Sequence, residues 1–278
     1  MAWPREKPVP AEVPLPKAAW TWLGAWRGAR CVGRLRARWS QAELVVFQEV
    51  AVAQGENADE IATAMVHDLV SRLPTDRIRL YAEAGEEDGP LRRWLEGADC
   101  EITRQKIVVG RELPLDEEAS LDGLTRHSLR EIGERAFAAA LEAAAQDDPF
   151  QPEGEHDALQ ELHDLIDYAG KAYDPSGWFV LREEGQTVGV VLPQSYAKSP
   201  EEGSVFYIGV TPPFRGRGFG WRIHALGLQA LSERGVKRYV GSSEIRNGPM
   251  LRVFEKNGCP EIARQLFYEP LARRKAAP

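Results

Sequence analysis

Between Ser204 and Gly235 an apolar run, Val205 to Val210, ends at the proline pair Pro212-Pro213, and Arg215-Gly216-Arg217-Gly218-Phe219-Gly220 then opens a helical pattern with Ile223, Leu226, Ala230 and Leu231 on one face. A strand must hand over to a helix through a glycine turn. Glycines at alternate positions permit positive φ, so successive backbone N–H groups can turn inward and form a concave nest for an anion. The first turn of the helix adds unpaired donors and the positive end of its dipole. Arg215, Arg217 and Arg222 add full charge in a geometry suited to phosphate oxygens. The expected occupant carries phosphate.

Spacing narrows which phosphate ligand fits. The Walker A pattern needs Lys and then Ser or Thr after its last glycine, and Trp221 and Arg222 stand there instead. The dinucleotide fingerprint fails as well, because Trp221 takes the place of its third glycine. An ATP module would also need an acidic magnesium partner near the loop, and the sequence offers none there.

The stretch resembles motif A of the GCN5-related N-acetyltransferases (GNAT), R/Q-x-x-G-x-G/A after a strand and a V-x-P turn. Arg215, Gly218 and Gly220 fill the three defining places and Val210-Thr211-Pro212 fills the turn. Arg238 to Glu244 reads as the next strand, and Asn247 to Gly258 (NGPMLRVFEKNG) resembles the family's N-x-x-A-x-x-L-Y-x-K-x-G helix.

The resemblance implies an α/β (α+β) GNAT fold, a mixed, mostly antiparallel sheet with flanking helices. It implies that the strand with Phe206 to Val210 splays from the strand with Tyr239 to Ser243. Backbone groups of Ile208, Gly209 and Val210 would then pair with the pantetheine of acetyl-CoA, residues 215 to 220 (Arg215, Gly216, Arg217, Gly218, Phe219, Gly220) would hold its pyrophosphate, and Asn247 and Phe254 would complete the cosubstrate site. The implied reaction is N-acyl transfer from acetyl-CoA to a primary amine by direct attack in a ternary complex. Two departures stand out. Many relatives place an acid Tyr where this chain has Phe254, and some place a Glu where it has Ser242. Tyr207 and Glu244 are the candidate catalytic groups, with Ser243 and Tyr268 as further choices. The competing reading is a non-catalytic acyl-CoA sensor or scaffold on the same fold.

At 278 residues the chain has room for one large domain or two ordinary ones. Its net charge of -7 argues against broad nucleic-acid binding, which needs a basic surface. No apolar run reaches membrane-spanning length and the start lacks the apolar core of a signal peptide, so the expected location is cytoplasmic, away from membranes. Cys31, Cys100 and Cys259 are odd in number and far apart, which predicts neither a disulfide framework nor a zinc site. Expected partners are a small-molecule amine or a protein amine, with a homodimer open.

Met1 to Lys17, with five prolines, reads as an extended leader. From Arg30 to Trp39, Cys31, Gly33, Leu35, Ala37 and Trp39 alternate with arginines, the pattern of a half-buried strand with a basic face. Further strands are expected at Glu43–Ala53, Ile78–Ala84 and Glu101–Leu113, with helices at Asn57–Leu73 and Pro90–Leu95. This order repeats that around motif A, so residues 18–115 read as a degenerate GNAT-like copy and 116–278 as the acetyl-CoA-binding domain. In the first copy Gln54-Gly55-Glu56-Asn57-Ala58-Asp59 has one glycine, no arginine and two carboxylates, a composition that repels pyrophosphate. Ser120 to Gln146 reads as one long helix and Ala158 to Tyr173 as a second, the pair expected to flank the acceptor cleft. Hairpin strands are expected at Trp178–Arg182 and Thr187–Leu192, and a last strand at Gln265–Glu269.

Overall fold

The computed structural model describes residues 20–41, 44–72, 77–83, 89–115, 119–150 and 157–271. The proline-rich leader over 1–17 lies outside them. The chain divides into two compact units, one made of residues 1–107 with 263–278, the other of residues 108–262.

In the first unit the arginine-alternating stretch is a strand, as its period demands. β1 (Trp20–Arg27) pairs antiparallel with β2 (Arg30–Gln41), which pairs antiparallel with β3 (Leu44–Val52). Gly33, Leu35 and Ala37 are buried while Arg34, Arg36 and Arg38 keep some exposure. Then come α1 (Ala58–Arg72), β4 (Arg77–Glu83), α2 (Pro90–Gly97) and β5 (Cys100–Glu112). The core gathers Leu35, Val66, Leu69, Leu95 and Leu266.

The second unit departs from the long helix expected over 120–146. Leu124–Ser128 is a strand, β6, followed by one helical turn, α3 (Leu129–Ile132), and then by α4 (Glu134–Ala145). Ser128 and Glu131 form a reciprocal capping box that starts a helix at 129, and Gly133, at φ 77°, breaks it. Next come α5 (Ala158–Ala169), β7 (Phe179–Glu183), β8 (Gln186–Tyr196), β9 (Ser199–Val210), α6 (Phe219–Glu233), β10 (Arg238–Glu244) and α7 (Gly248–Lys256). α4 packs Phe137, Leu141 and Ala144 against Val190 and Leu192. α6 packs Phe219, Ile223 and Leu226 against Val188, Val191 and Val210. The sheet of this unit, in order β10-β9-β8-β7-β6, thus carries helices on both faces.

The last strand, β11 (Glu261–Pro270), corrects the expected split at residue 115/116. From Ala263 to Tyr268 it pairs antiparallel with Glu83 to Ile78 of β4, and it lies between β4 and β5. Hydrogen bonding, not sequence proximity, assigns it to the first unit.

Candidate functional site

β8 and β9 pair in register from Gly189↔Val210 to Val191↔Ile208, and the next pair is Pro193↔Val205. Leu192 therefore faces both Phe206 and Tyr207, a β-bulge that turns both rings toward the α4–α5 side. On its other edge β9 runs parallel to β10 through Arg238↔Glu202 and Tyr239↔Gly203, where the ladder ends. Beyond it no pair joins the two strands, and Ile208, Gly209 and Val210 lie past the last pair.

The end of β9 is pinned by Thr211, whose buried hydroxyl donates to the Thr187 carbonyl at 2.8 Å. The turn that follows uses positive φ at Gly216 (74°) and Gly218 (86°), and Gly218 caps α6 without any side-chain hydrogen bond. The first amides of α6 are left to a ligand or to water. A cavity of about 630 Å³ opens here. Ile208, Gly209 and Val210 of β9 line it, with Arg215, Gly216, Gly218, Phe219 and Gly220 of the turn and the start of α6. Asn247, Arg252 and Lys256 come from α7, and Asp147, Asp148 and Phe150 from the segment after α4. Arg217, Phe254 and Tyr207, all expected in the site, are not among its lining residues.

The three arginines expected to add charge for phosphate at this turn each have protein partners. Arg215 donates from Nε to the Val210 carbonyl (2.9 Å), and from its terminal nitrogens to the carbonyls of Ala144 (3.1 Å), Gln146 and Asp147 (3.3 Å). Arg217 lies over the rings of Phe214 and Phe219 and 3.4 Å from Glu183. Arg222 donates to the carbonyls of Leu121 and Asp122. Backbone carbonyls left over at helix ends and loops compete for guanidinium donors, and here they hold those of Arg215 and Arg222. α7 adds two further cations to the lining, Arg252 and Lys256, and Lys256 lies 5.8 Å from the Trp221 ring. Sequence reading missed Arg252 and Lys256 because their link to the cavity is their spacing on a helix distant in the chain.

Phe254 is buried at 3% exposure and its ring sits 5.6 Å from that of His224. His224 is fully enclosed, and burial pushes its pKa down to about 3, so the imidazole is neutral. Asn257 Nδ2 lies 3.0 Å from His224 Nδ1, 3.0 Å from the Trp221 carbonyl and 3.1 Å from the Val253 carbonyl, three acceptors sharing its two N–H groups, while His224 Nε2 lies 3.0 Å from the Tyr239 hydroxyl. An amide nitrogen cannot accept, so Nδ1 faces it unprotonated, and the imidazole proton sits on Nε2 and is given to Tyr239. One polar chain thus fastens α6 to β10 and α7. Asn247 caps α7 through Oδ1, which accepts from the Met250 N–H at 3.1 Å.

Tyr207 folds back over Gly209, where an added Cβ would stand 2.9 Å from both its hydroxyl and the Ala144 Cβ. Burial, then the charge of Asp148, pushes the Tyr207 pKa up to about 12. At neutral pH it is a proton donor, not a base. Glu244 ends β10 half-buried, its backbone carbonyl accepting from the Asn247 N–H at 2.9 Å, and it does not line the cavity. Ser243 is buried, and Tyr268 belongs to the core of the first unit. All three cysteines are free, and among the described residues no cluster of His, Cys, Asp or Glu is arranged to hold a metal. No helix among them is long and apolar enough to cross a membrane.

Residues 132–259 match the family model described as "Acetyltransferase (GNAT) family". A mycothiol acetyltransferase from Cellulomonas flavigena is 26% identical over 106 residues, a match covering 35% of this chain and 30% of that protein. The chain therefore aligns with less than a third of the length of that curated relative. Among solved structures, a GCN5-related N-acetyltransferase from Sphaerobacter thermophilus superposes with a TM-score of 0.57 at 20% identity, over 86% of this chain and 76% of that one. A tandem GNAT protein from the clavulanic acid biosynthesis pathway gives a TM-score of 0.53 at 14% identity, over 91% and 83%. Likeness at these identities is likeness of fold.

Proposed function

We propose that residues 132–259, which match the GNAT family model, form an acetyltransferase domain, and that the protein is an N-acyltransferase moving an acetyl group from acetyl-CoA to a primary amine by direct attack in a ternary complex. The observation that carries this reading is the end of pairing between β9 and β10 beside the uncapped start of α6, both opening on one cavity. The pantetheine chain adds to Ile208–Val210 as a short extra strand, and the amides of Gly216 to Gly220 take the pyrophosphate. Arg252 and Lys256 supply the charge that Arg215, Arg217 and Arg222 give to backbone and side-chain partners.

With the thioester carbonyl in the split, a backbone N–H of β9 stabilises the developing oxyanion, and the amine needs only to be held at attack distance. The amine nitrogen loses one proton and the departing thiolate gains one. Tyr207, protonated at neutral pH, is the donor on the α4 side of the strand, while Glu244 accepts the amine proton through water. Phe254, buried and without a proton to give, takes no part.

We place the first unit as a second GNAT-like copy without a coenzyme site. In its support, β1-β2-β3-α1-β4-α2-β5 repeats the order β7-β8-β9-α6-β10-α7-β11, and the third strand of each run is parallel to the fourth. The acceptor is a small-molecule or protein amine, met in the cytoplasm without nucleic acid or membrane, and a homodimer is compatible with this.

Isothermal titration with acetyl-CoA tests the reading. Micromolar binding at one equivalent per chain, followed by release of free thiol when amines are added, is the expected result. Absence of binding refutes coenzyme use, and tight binding without thiol release from any amine favours the sensor alternative.

A further inference from the structure

We propose that Arg215 is a positioning residue for the acceptor amine and not a ligand of the coenzyme phosphates, an inference that rests on the transferase reading above. Its guanidinium has five N–H donors, and contacts with the carbonyls of Val210, Ala144, Gln146 and Asp147 occupy four of them. Three of those carbonyls belong to the end of α4 and the residues just beyond it, where a helix leaves its last acceptors unpaired and its dipole favours a cation. The fourth closes β9. One side chain therefore fastens the glycine turn to the C-terminal end of α4.

The segment after α4 gives this fastening its consequence. Asp147 takes φ 56°, a conformation that non-glycine residues adopt with strain, and its carbonyl is one of the four held. Asp148 then accepts from the Phe150 N–H at 2.9 Å, and Asp147, Asp148 and Phe150 all line the cavity. Ala144, at the same anchor, touches the place where Tyr207 lies over Gly209. Arg215 so builds a wall of two carboxylates and one ring beside the proton donor. A cationic amine, with apolar surface next to its ammonium, is the class of acceptor that such a wall receives.

The test uses the full chain with Arg215→Ala, and with Arg215→Lys as the milder variant should the first fold poorly. Hydrogen exchange without any ligand reads the wall directly: amides 145–150 should exchange about tenfold faster or more in Arg215→Ala, with Arg215→Lys between it and the wild type. In turnover the KM for the amine should rise about tenfold, as for loss of a charge-assisted hydrogen bond, while the KM for acetyl-CoA stays within about twofold. The same ratio should appear with S-acetylpantetheine, which has no phosphates. Two results overturn the proposal. One is unchanged exchange at 145–150 in both variants. The other is a loss confined to acetyl-CoA affinity that vanishes with S-acetylpantetheine, the mark of a phosphate ligand. Faster exchange in a protein that transfers to no amine would refute the transferase reading and, with it, the acceptor role proposed for Arg215.

Discussion

Two turns in this chain make the same passage from a third strand into a helix, β3 into α1 and β9 into α6. Each third strand pairs in parallel with the strand after its helix over only a few residues, Leu44↔Arg77 to Val46↔Arg79 in one case and Arg238↔Glu202 to Tyr239↔Gly203 in the other. The turns differ in what they do with the helix amides. At α1, Asn57 Oδ1 accepts from the Glu60 N–H at 3.3 Å while Asn57 Nδ2 donates to the Glu60 carboxylate, and Glu56 is ion-paired with Arg27 and Arg30. At α6, Gly218 offers no side-chain cap at all. A helix start becomes an anion site when the sequence withholds its own cap; the backbone course alone does not make one. The inner faces differ too. α1 buries Ala62, Met65, Val66, Leu69 and Val70, all apolar, whereas α6 buries His224 and ties it to Tyr239 and Asn257.

The contrast breaks most decisively at Gly218. Gly218→Glu forces a side chain into φ 86° and puts a carboxylate among the amides, so acetyl-CoA affinity measured by titration should fall about 100-fold or more, ~2.7 kcal/mol. Unchanged affinity would remove the coenzyme from this turn.

The buried histidine predicts a pH signature for the second unit alone. Its folded pKa of about 3 lies below the unfolded value of 6.5, so its contribution is complete above 6.5 and is lost as pH falls toward 3. Stability should drop by about 1.4 kcal/mol per pH unit below 6.5 from this group, to be read from melts between pH 7 and 5. His224→Gln should flatten that slope, and an equal slope in the variant would assign it elsewhere.

Phe254→Tyr sharpens the comparison at α7. A hydroxyl introduced beside His224 lacks water, so a stability loss of about 1 kcal/mol without gain in kcat is expected. A rise in kcat would return the acid to this helix. The smallest effect on coenzyme binding concerns the capped turn. Glu56→Arg replaces a nearly buried carboxylate paired with Arg27 and Arg30 by a third cation, so it should cost about 3 kcal/mol of stability, yet leave coenzyme stoichiometry at one because Asn57 still caps α1. A second equivalent bound would mean that charge, not capping, had silenced this turn.

The run from β9 through α6 and β10 to α7 was readable in the sequence because its signals are local: an apolar run, glycines, a cap at Asn247 and a helical period. Asn57 and Glu60 gave α1 in the same way. The single helix expected over 120–146 failed at Ser128, Glu131 and Gly133, whose capping signal was present but overridden by the apolar period around it. The bulge at Phe206 and Tyr207 needs Leu192 opposite it, and three of the four carbonyl partners of Arg215 lie about 70 residues back in the chain. Such placements are decided by which carbonyls and strands meet in space. His224 reads as one polar residue on an apolar face until Tyr239 and Asn257 are brought to it.

The pairing of β11 with β4 sets an order of events on the ribosome. Residues 78–83 emerge long before residues 263–268 are made, an interval of roughly 10–40 s at ordinary elongation rates. Through that time β4 and β5 lack the strand that belongs between them, whereas the 108–262 unit draws on no residue made after position 262. The earlier-encoded half should therefore wait as a nascent client for chaperones until the later half has been made. Protease treatment of released chains ending at residue 262 should spare 108–262 and cut within 20–83, and the reverse pattern would show the first unit closing without its final strand.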